Sequence, residues 1–232
     1  MLMDYRKAFE IYLNRSSRLA WLRLILVDSF PVFNKVDNYQ IILFYSHSNS
    51  GRRDFDYVYK KLFNILTGSG LKTILMSYTN ILSKFRFAAD VGFLYFSSFF
   101  SKKSFLELFY NYLYHKAFSL LSNTKATVLV TFCDAHPVDW IVTKCGNDMG
   151  IQTVTLQHGL YFLSDEVLPP LMFRNSISDF MIVWGSLSAR ALTDCNDHTK
   201  PVVLGSLKAS HSSLSPYSQQ AVGSFGGFDV YL

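Results

Sequence analysis

The sequence predicts an α/β fold: a Rossmann-like parallel sheet with helices on both faces. Three observations carry that prediction. Strand-like and helix-like segments alternate along most of the chain, the clearest strand-like segment is apolar at consecutive positions, and glycines stand at the junctions. Alternation of strand and helix implies crossover connections, and so parallel strands. A run that is apolar at every position belongs to a strand covered on both faces. Glycine just past a helix supplies the left-handed residue that ends it.

Met1 to about Asp28 reads as an amphipathic helix. Tyr5, Phe9, Tyr12, Leu19 and Leu22 or Leu26 recur near helical spacing among Lys7, Arg15, Arg18 and Arg23. Such a helix either packs on its own domain or lies on an anionic membrane surface through Trp21 and its leucines. Pro31 closes the segment, and residues 1–38 are set apart as an N-terminal piece.

Gln40 to Tyr45 is the first strand, a continuous apolar run after its first residue. The polar loop Ser46 to Arg53 leads to a helix from about Asp54 to Leu66, with Phe55, Val58, Tyr59, Leu62, Phe63 and Leu66 on one face. Gly68 and Gly70 stop it, and Leu71 to Ser77 is the second strand, completing a βαβ unit. Tyr78 to Asn123 is mostly aromatic helix, with one long helix from about Ser104 to Leu121. Phe96, Phe99 and Phe100 are assigned to a core or an interface.

Alternation then resumes. Thr127 to Phe132 is a strand, Pro137 suits the first turn of a helix running from Val138 to Asp148, and Gly150 ends it. Gln152 to Leu156, Asp179 to Trp184 and Pro201 to Leu204 are further strands, with a helix from about Leu187 to Asp194 between the last two. These elements define a domain over residues 39–208. His211 to Gly227 is rich in Ser and Gly and reads as a linker, and Phe228 to Leu232 as the start of a strand. Residues 209–232 are therefore expected to lead into a second domain lying beyond the chain.

Composition bounds what such a chain does. Of 232 residues, 50% are hydrophobic, 16% aromatic and 17% charged. That charged share is below the roughly 25% usual for globular proteins. It excludes a disordered or low-complexity chain. A membrane span needs about 20 mostly apolar residues. The most apolar charge-free run, Val91 to Ser101, is shorter and is broken by Gly92, Ser97 and Ser98. Asp4, Lys7, Glu10 and Arg15 break up any signal sequence, so a cytoplasmic location is expected, with the basic N-terminal segment available to the inner face of the plasma membrane. Cys133, Cys145 and Cys195, odd in number and without a CxxC pair, argue against a disulfide framework or a zinc site. The net charge of +5 admits anionic partners. No Lys/Arg run exceeds two residues, which argues against nucleic acid.

Parallel α/β sheets bind ligands at the carboxyl ends of their strands. The residues just past the predicted strands are Ser46 and His47 with Gly51, Arg52 and Arg53, then Asp134 and His136, then Gln157, His158 and Gly159, then Gly185 and Ser186, then Gly205 and Ser206. Three of the six histidines stand there. His158 is the sharpest candidate. Followed by Gly159, its imidazole either faces a cleft, where it can take a proton from an alcohol at neutral pH, or caps the turn by bonding to backbone. Gly51, Arg52 and Arg53 at a helix start either hold a phosphate or form a solvated loop. GxSxG, GxxxxGK[ST], GxGxxG and HExxH motifs are absent, and no carboxylate cluster suggests a metal.

The succession from Ile151 through Gln157, His158, Gly159 and Tyr161, then Asp179 to Gly185 with Val183 and Trp184, then Val202 to Ser206, resembles bacterial surface-polysaccharide glycosyltransferases of the GT-B type, such as capsule and O-antigen enzymes. It is also similar to CDP-glycerol glycerophosphotransferases of teichoic-acid synthesis, which carry Trp-His-Gly where this chain has Gln157, His158 and Gly159. The specific part covers about Thr127 to Ser206.

The resemblance implies two Rossmann-like domains, an N-terminal one for the acceptor and a C-terminal one for the nucleotide of the donor. This chain would be the acceptor side and inactive alone. It implies no cofactor and no metal, a nucleotide-sugar donor held by the other domain, and a saccharide or lipid-linked acceptor. His158 would be the base, Gln157 and Gly159 would shape the acceptor pocket, and His47, Gly51, Arg52, Asp134 and His136 would line the cleft. A polyol-phosphate transferase using the same histidine, and a non-catalytic binding protein, stand as alternatives.

Overall fold

The computed structural model describes residues 5–13, 38–45, 53–77, 81–132, 136–157, 168–205, 224–225 and 228–229. The chain begins with two short helices, α1 (Tyr5–Ala8) and α2 (Glu10–Leu13), hinged at Phe9. There follow β1 (Ile41–Tyr45), α3 (Arg53–Gly68), β2 (Thr73–Ser77), α4 (Ile81–Ser98), α5 (Phe105–Thr124) and β3 (Val128–Thr131). Then come α6 (Pro137–Asp148), β4 (Gln152–Leu156), α7 (Leu168–Arg174), β5 (Phe180–Val183), α8 (Ser186–Cys195) and β6 (Lys200–Val203). A separate two-residue hairpin pairs β7 (Ser224–Phe225) with β8 (Phe228–Asp229).

Strands β1 to β6 form one parallel sheet in the order β2-β1-β3-β4-β5-β6. The fold is thus α/β and Rossmann-like. Ile41 to Tyr45 are all buried, because β1 lies between β2 and β3 with helices above and below it. Alternate residues sort onto the two faces. Ile41, Leu43 and Tyr45 join Val130, Phe132 and Leu156 under α3. Ile42 and Phe44 join Met76 and Leu129 under α1, α4, α5 and α6. Met181 and Val183 of β5 pack with Phe173 of α7 and with Ala191 and Leu192 of α8.

Local chemistry explains the boundaries. Ser104 caps α5, its hydroxyl accepting from the Glu107 N–H at 3.2 Å, the sequence pattern of a capping box. Pro137 opens α6 at the position where a missing N–H costs nothing. Lys125 ends α5 in the left-handed conformation, with φ of 51°. The aromatic middle of the chain divides into two helices, α4 and α5, and α5 runs one turn further than its sequence suggests.

Four outcomes differ from the sequence reading or extend it. Only residues 5–13 of the N-terminal segment are described, and these pack on the domain. Phe9 is buried and stacks on Phe109 at 5.6 Å, and Glu10 bonds Asn175 at 2.7 Å and Arg174 at 3.3 Å. Residues 14–28 of that predicted helix lie outside the described residues. Helix α7 was not expected, since prolines at 169 and 170 obscure helical periodicity although the first turn tolerates them. Phe96, Phe99 and Phe100 do not enter the core but stand exposed. Finally, Phe228 and Asp229 do form a short strand, paired antiparallel with Ser224 and Phe225.

Gly146 marks the closest approach of α6 to the sheet. A Cβ there would stand 2.9 Å from Leu129 Cδ2 and 3.1 Å from Thr153 Cγ2. Gly146→Ala is expected to lower unfolding stability by about 1 kcal/mol, overpacking outweighing the gain in helix propensity. Denaturant melts check this.

One residue earlier, burial pushes the Cys145 thiol from its ordinary 9.0 up to about 12. It should resist alkylation of the native protein at pH 8. Because the unfolded thiol ionises first, its contribution to stability is present below about pH 9 and is lost as pH rises toward 12. Melts of Cys145→Ala should show a shallower alkaline decline than those of the parent.

Candidate functional site

The strand order creates one position where connections leave in opposite directions. From β1 the chain goes to β2 on one side, then returns past β1 to β3 on the other. In such sheets the crevice outside the carboxyl ends at this switch point is the ligand site. Pairing of Tyr45 with Ser77, Phe44 with Thr131, Thr131 with Thr155 and Leu156 with Ile182 brings the strand ends to a common edge.

The α3 side of that edge is closed by three rings. Tyr45 ends β1, Phe132 follows β3, and Tyr59 comes from α3. Tyr45 stacks on Tyr59 at 5.0 Å and meets Phe132 edge-on at 5.4 Å, while Tyr59 and Phe132 are 5.5 Å apart. The Tyr59 hydroxyl donates to the Phe44 carbonyl at 3.0 Å, locking the helix to the strand. All three rings are buried beneath the switch point.

On the opposite side, His136 is the half-buried N-cap of α6, and its carbonyl accepts the Trp140 N–H at 2.7 Å. Asp139, buried in the first turn, lies where the helix dipole favours a negative charge. The Thr131 and Thr143 hydroxyls share a hydrogen bond at 3.2 Å that ties β3 to α6.

The next strand end is held by Gln157. Its backbone N–H donates to Ile182, its side-chain oxygen accepts the Trp184 N–H at 2.9 Å, and its carbonyl accepts the Trp184 indole N–H at 2.8 Å. Gln157 is buried and thereby welds the end of β4 to that of β5. At the other end of the same strand pair, the Asp179 carboxylate accepts from the Thr153 N–H at 2.8 Å and stands 3.2 Å from the Thr153 hydroxyl. The Asp179 N–H donates back to that hydroxyl at 2.9 Å. The Asn147 side chain accepts from the same hydroxyl at 2.6 Å and donates to the Ile177 carbonyl at 2.6 Å.

Of the residues singled out from sequence, Arg53, Gly185, Ser186 and Gly205 are described at helix starts or strand ends, and so are the two candidate site residues Gln157 and His136. These two lie at the carboxyl ends of adjacent strands, past β4 and β3. His158, Gly159, His47, Gly51, Arg52 and Asp134 lie outside the described residues. Sequence reasoning missed Tyr45, Tyr59 and Phe132, which look like ordinary core aromatics until strand pairing brings them together. It also missed Asp139, whose signal was its place three residues after His136 and just inside a proline-started helix.

Among the described residues, no group of three or more His, Cys, Asp or Glu is placed to hold a metal ion. An open pocket of about 430 Å³ lies at the opposite, amino-terminal edge, lined by Tyr39, Gln40, Lys72, Lys125 and Thr127 among others. It is not preferred, because ligands of parallel α/β sheets bind at the carboxyl edge. Comparison of the chain with protein-family models, curated proteins and solved structures finds no match.

Gln157→Leu should leave the Trp184 N–H without its acceptor and lower stability by about 1–3 kcal/mol. Hydrogen exchange should speed at Trp184 while residues of β1 and β2 keep their protection. Unchanged exchange at Trp184 would contradict the weld.

Proposed function

We propose that this chain is the acceptor-side domain of a glycosyltransferase that adds a sugar from a nucleotide-sugar donor to a growing cell-surface polysaccharide. The supporting observation is the β4–β5 strand pair. Two of the sequence stretches that carry the resemblance, Gln152 to Gln157 and Asp179 to Gly185, are joined by hydrogen bonds beside the switch point.

In this reading the Gln157–Trp184 weld sets the origin from which His158 is presented. The imidazole of His158 takes the proton of an acceptor hydroxyl. The freed oxygen forms a bond to the sugar carbon of the donor, and the bond from that carbon to the phosphate oxygen breaks with release of the nucleotide. His136, Asp134, His47, Gly51 and Arg52 would line the acceptor side of the cleft, and Gly159 would allow close approach of the sugar. The described parallel sheet serves as one of the two Rossmann-like units the resemblance implies. The nucleotide is assigned to the other unit. The work would take place at the cytoplasmic membrane surface, where a lipid-linked acceptor is presented. No helix of the described residues is long and apolar enough to cross a membrane.

Ligand-observed NMR with saccharide acceptors, beside calorimetry with a panel of nucleotide sugars, tests the assignment on the chain as it stands. Saccharide signals should respond to the chain and lose that response in His158→Ala, and nucleotide sugars should not bind in the low-micromolar range. Low-micromolar binding of a nucleotide sugar would overturn the acceptor-side reading. In a form of the protein that turns over, His158→Ala should lower kcat by about 10²–10⁴, the usual worth of a general base. Full activity of that variant would remove His158 from the mechanism. Transfer of a polyol phosphate in place of a sugar would reassign the reaction to attack at phosphorus.

A further inference from the structure

Helix α4 is apolar on both sides. Its inner side, Phe87, Val91 and Leu94, packs toward Phe109 and Tyr112 of α5. Its outer side presents Phe85, Ala89, Gly92, Phe93, Phe96 and, just past the helix, Phe100, at the three- and four-residue spacing of one helical stripe. Phe93 is 71% exposed, Phe96 62%, and Phe100 79%. Phe99 and Tyr95 flank them, also exposed. A helix that is apolar all round belongs in a protein interior or in another apolar medium.

The rings hold one another in place. Phe96 and Phe100 stand 5.3 Å apart, and Tyr95 lies edge-on to both Phe99 at 5.3 Å and Phe105 at 5.6 Å. At roughly 150–250 Å² per aromatic side chain, six rings exposed by more than half offer on the order of 600 Å², the upper end for the largest patch on a monomer.

We infer that this stripe seats the protein on an anionic lipid bilayer, its aromatic rings entering the headgroup boundary. Two features select that occupant. The first is charge. Arg86 stands at one end of the stripe, and Lys102 and Lys103 at the other, all exposed. Asp90 accepts from the Tyr112 hydroxyl at 2.5 Å, and Glu107 pairs with Lys103 at 3.7 Å, so the uncompensated positive charge at the two ends comes from Arg86 and Lys102. A second copy packed antiparallel on the stripe would bring cation against cation at both ends, whereas phosphate headgroups complement both ends at once. The second is the lack of polar anchors. The six stripe residues carry no side-chain hydrogen-bonding group, and specific protein interfaces carry about one hydrogen bond per 100–200 Å². A bilayer surface needs none. This inference does not depend on the enzymatic reading, and it lies on α4, apart from the basic N-terminal segment.

Sedimentation of the full chain with vesicles of phosphatidylglycerol and phosphatidylcholine, against phosphatidylcholine alone, tests it. Binding should favour the anionic vesicles and weaken with salt. Phe96→Ser with Phe100→Ser should reduce the partition coefficient by at least about tenfold, and Lys102→Gln with Lys103→Gln by about tenfold. These side chains are outside the core, so circular dichroism and the melting temperature should match the parent. Unchanged partitioning of the phenylalanine variant would overturn the inference, as would equal binding to neutral and anionic vesicles. A lipid-free dimer that the phenylalanine substitutions dissolve, with no vesicle binding, would assign the stripe to self-association instead.

Discussion

The architecture depends on the burial of β1 on both faces. Ile41 to Tyr45 have no solvent side, so the chain must supply a neighbour on each edge and a cover above and below. Helix α3 gives one cover while carrying the chain to β2. The return path through α4 and α5 gives the other while carrying it to β3. A strand satisfied in this way becomes the place where connections diverge, and it is outside the carboxyl ends at such a place that parallel α/β sheets bind ligands. The same apolar run that builds the core therefore marks the position of the candidate site.

Polar groups hold the other half of the sheet in register. The β4–β5 pair has only a few ladder bonds, and it is pinned at its amino end by Thr153 and Asp179 and at its carboxyl end by Gln157 and Trp184. Asn196 does similar work one layer out. Its amide donates to the Phe173 and Ser176 carbonyls, and its oxygen accepts the His198 and Thr199 N–H groups. Polar groups that are buried or half-buried and bonded in this way resist slippage, because a one-residue shift would strand them without partners.

The helices are distributed unevenly. Among the described residues, α3 is the one helix on its face, and the remaining helices pack on the other. This follows from topology, since every step from β2 onward moves in the same direction across the sheet and a parallel crossover keeps one hand. It also leaves α4 outermost in its layer beside α5, with its second apolar side facing solvent.

Much of the fold was legible in the sequence. Continuous apolar runs, helical periodicity in the Asp54 to Leu66 region, and glycines at 70 and 150 with φ of 80° and 73° are local signals, and they located six strands and their parallel sense. Strand order is not a local property. Nothing in Gln40 to Tyr45 says that β2 and β3 take opposite sides, so the switch point emerged only when the strands paired. Gln157 shows the same division. Its place after a strand was readable, but its bonds to Trp184 span 27 residues of chain. The phenylalanines of α4 show it most sharply. Phe87 and Phe96 look alike in sequence, and only the packing of α4 on α5 buried the first and left the second in water. Periodicity reports which residues share a face of a helix. Which of two apolar faces is covered is decided by what else the chain has to place against it.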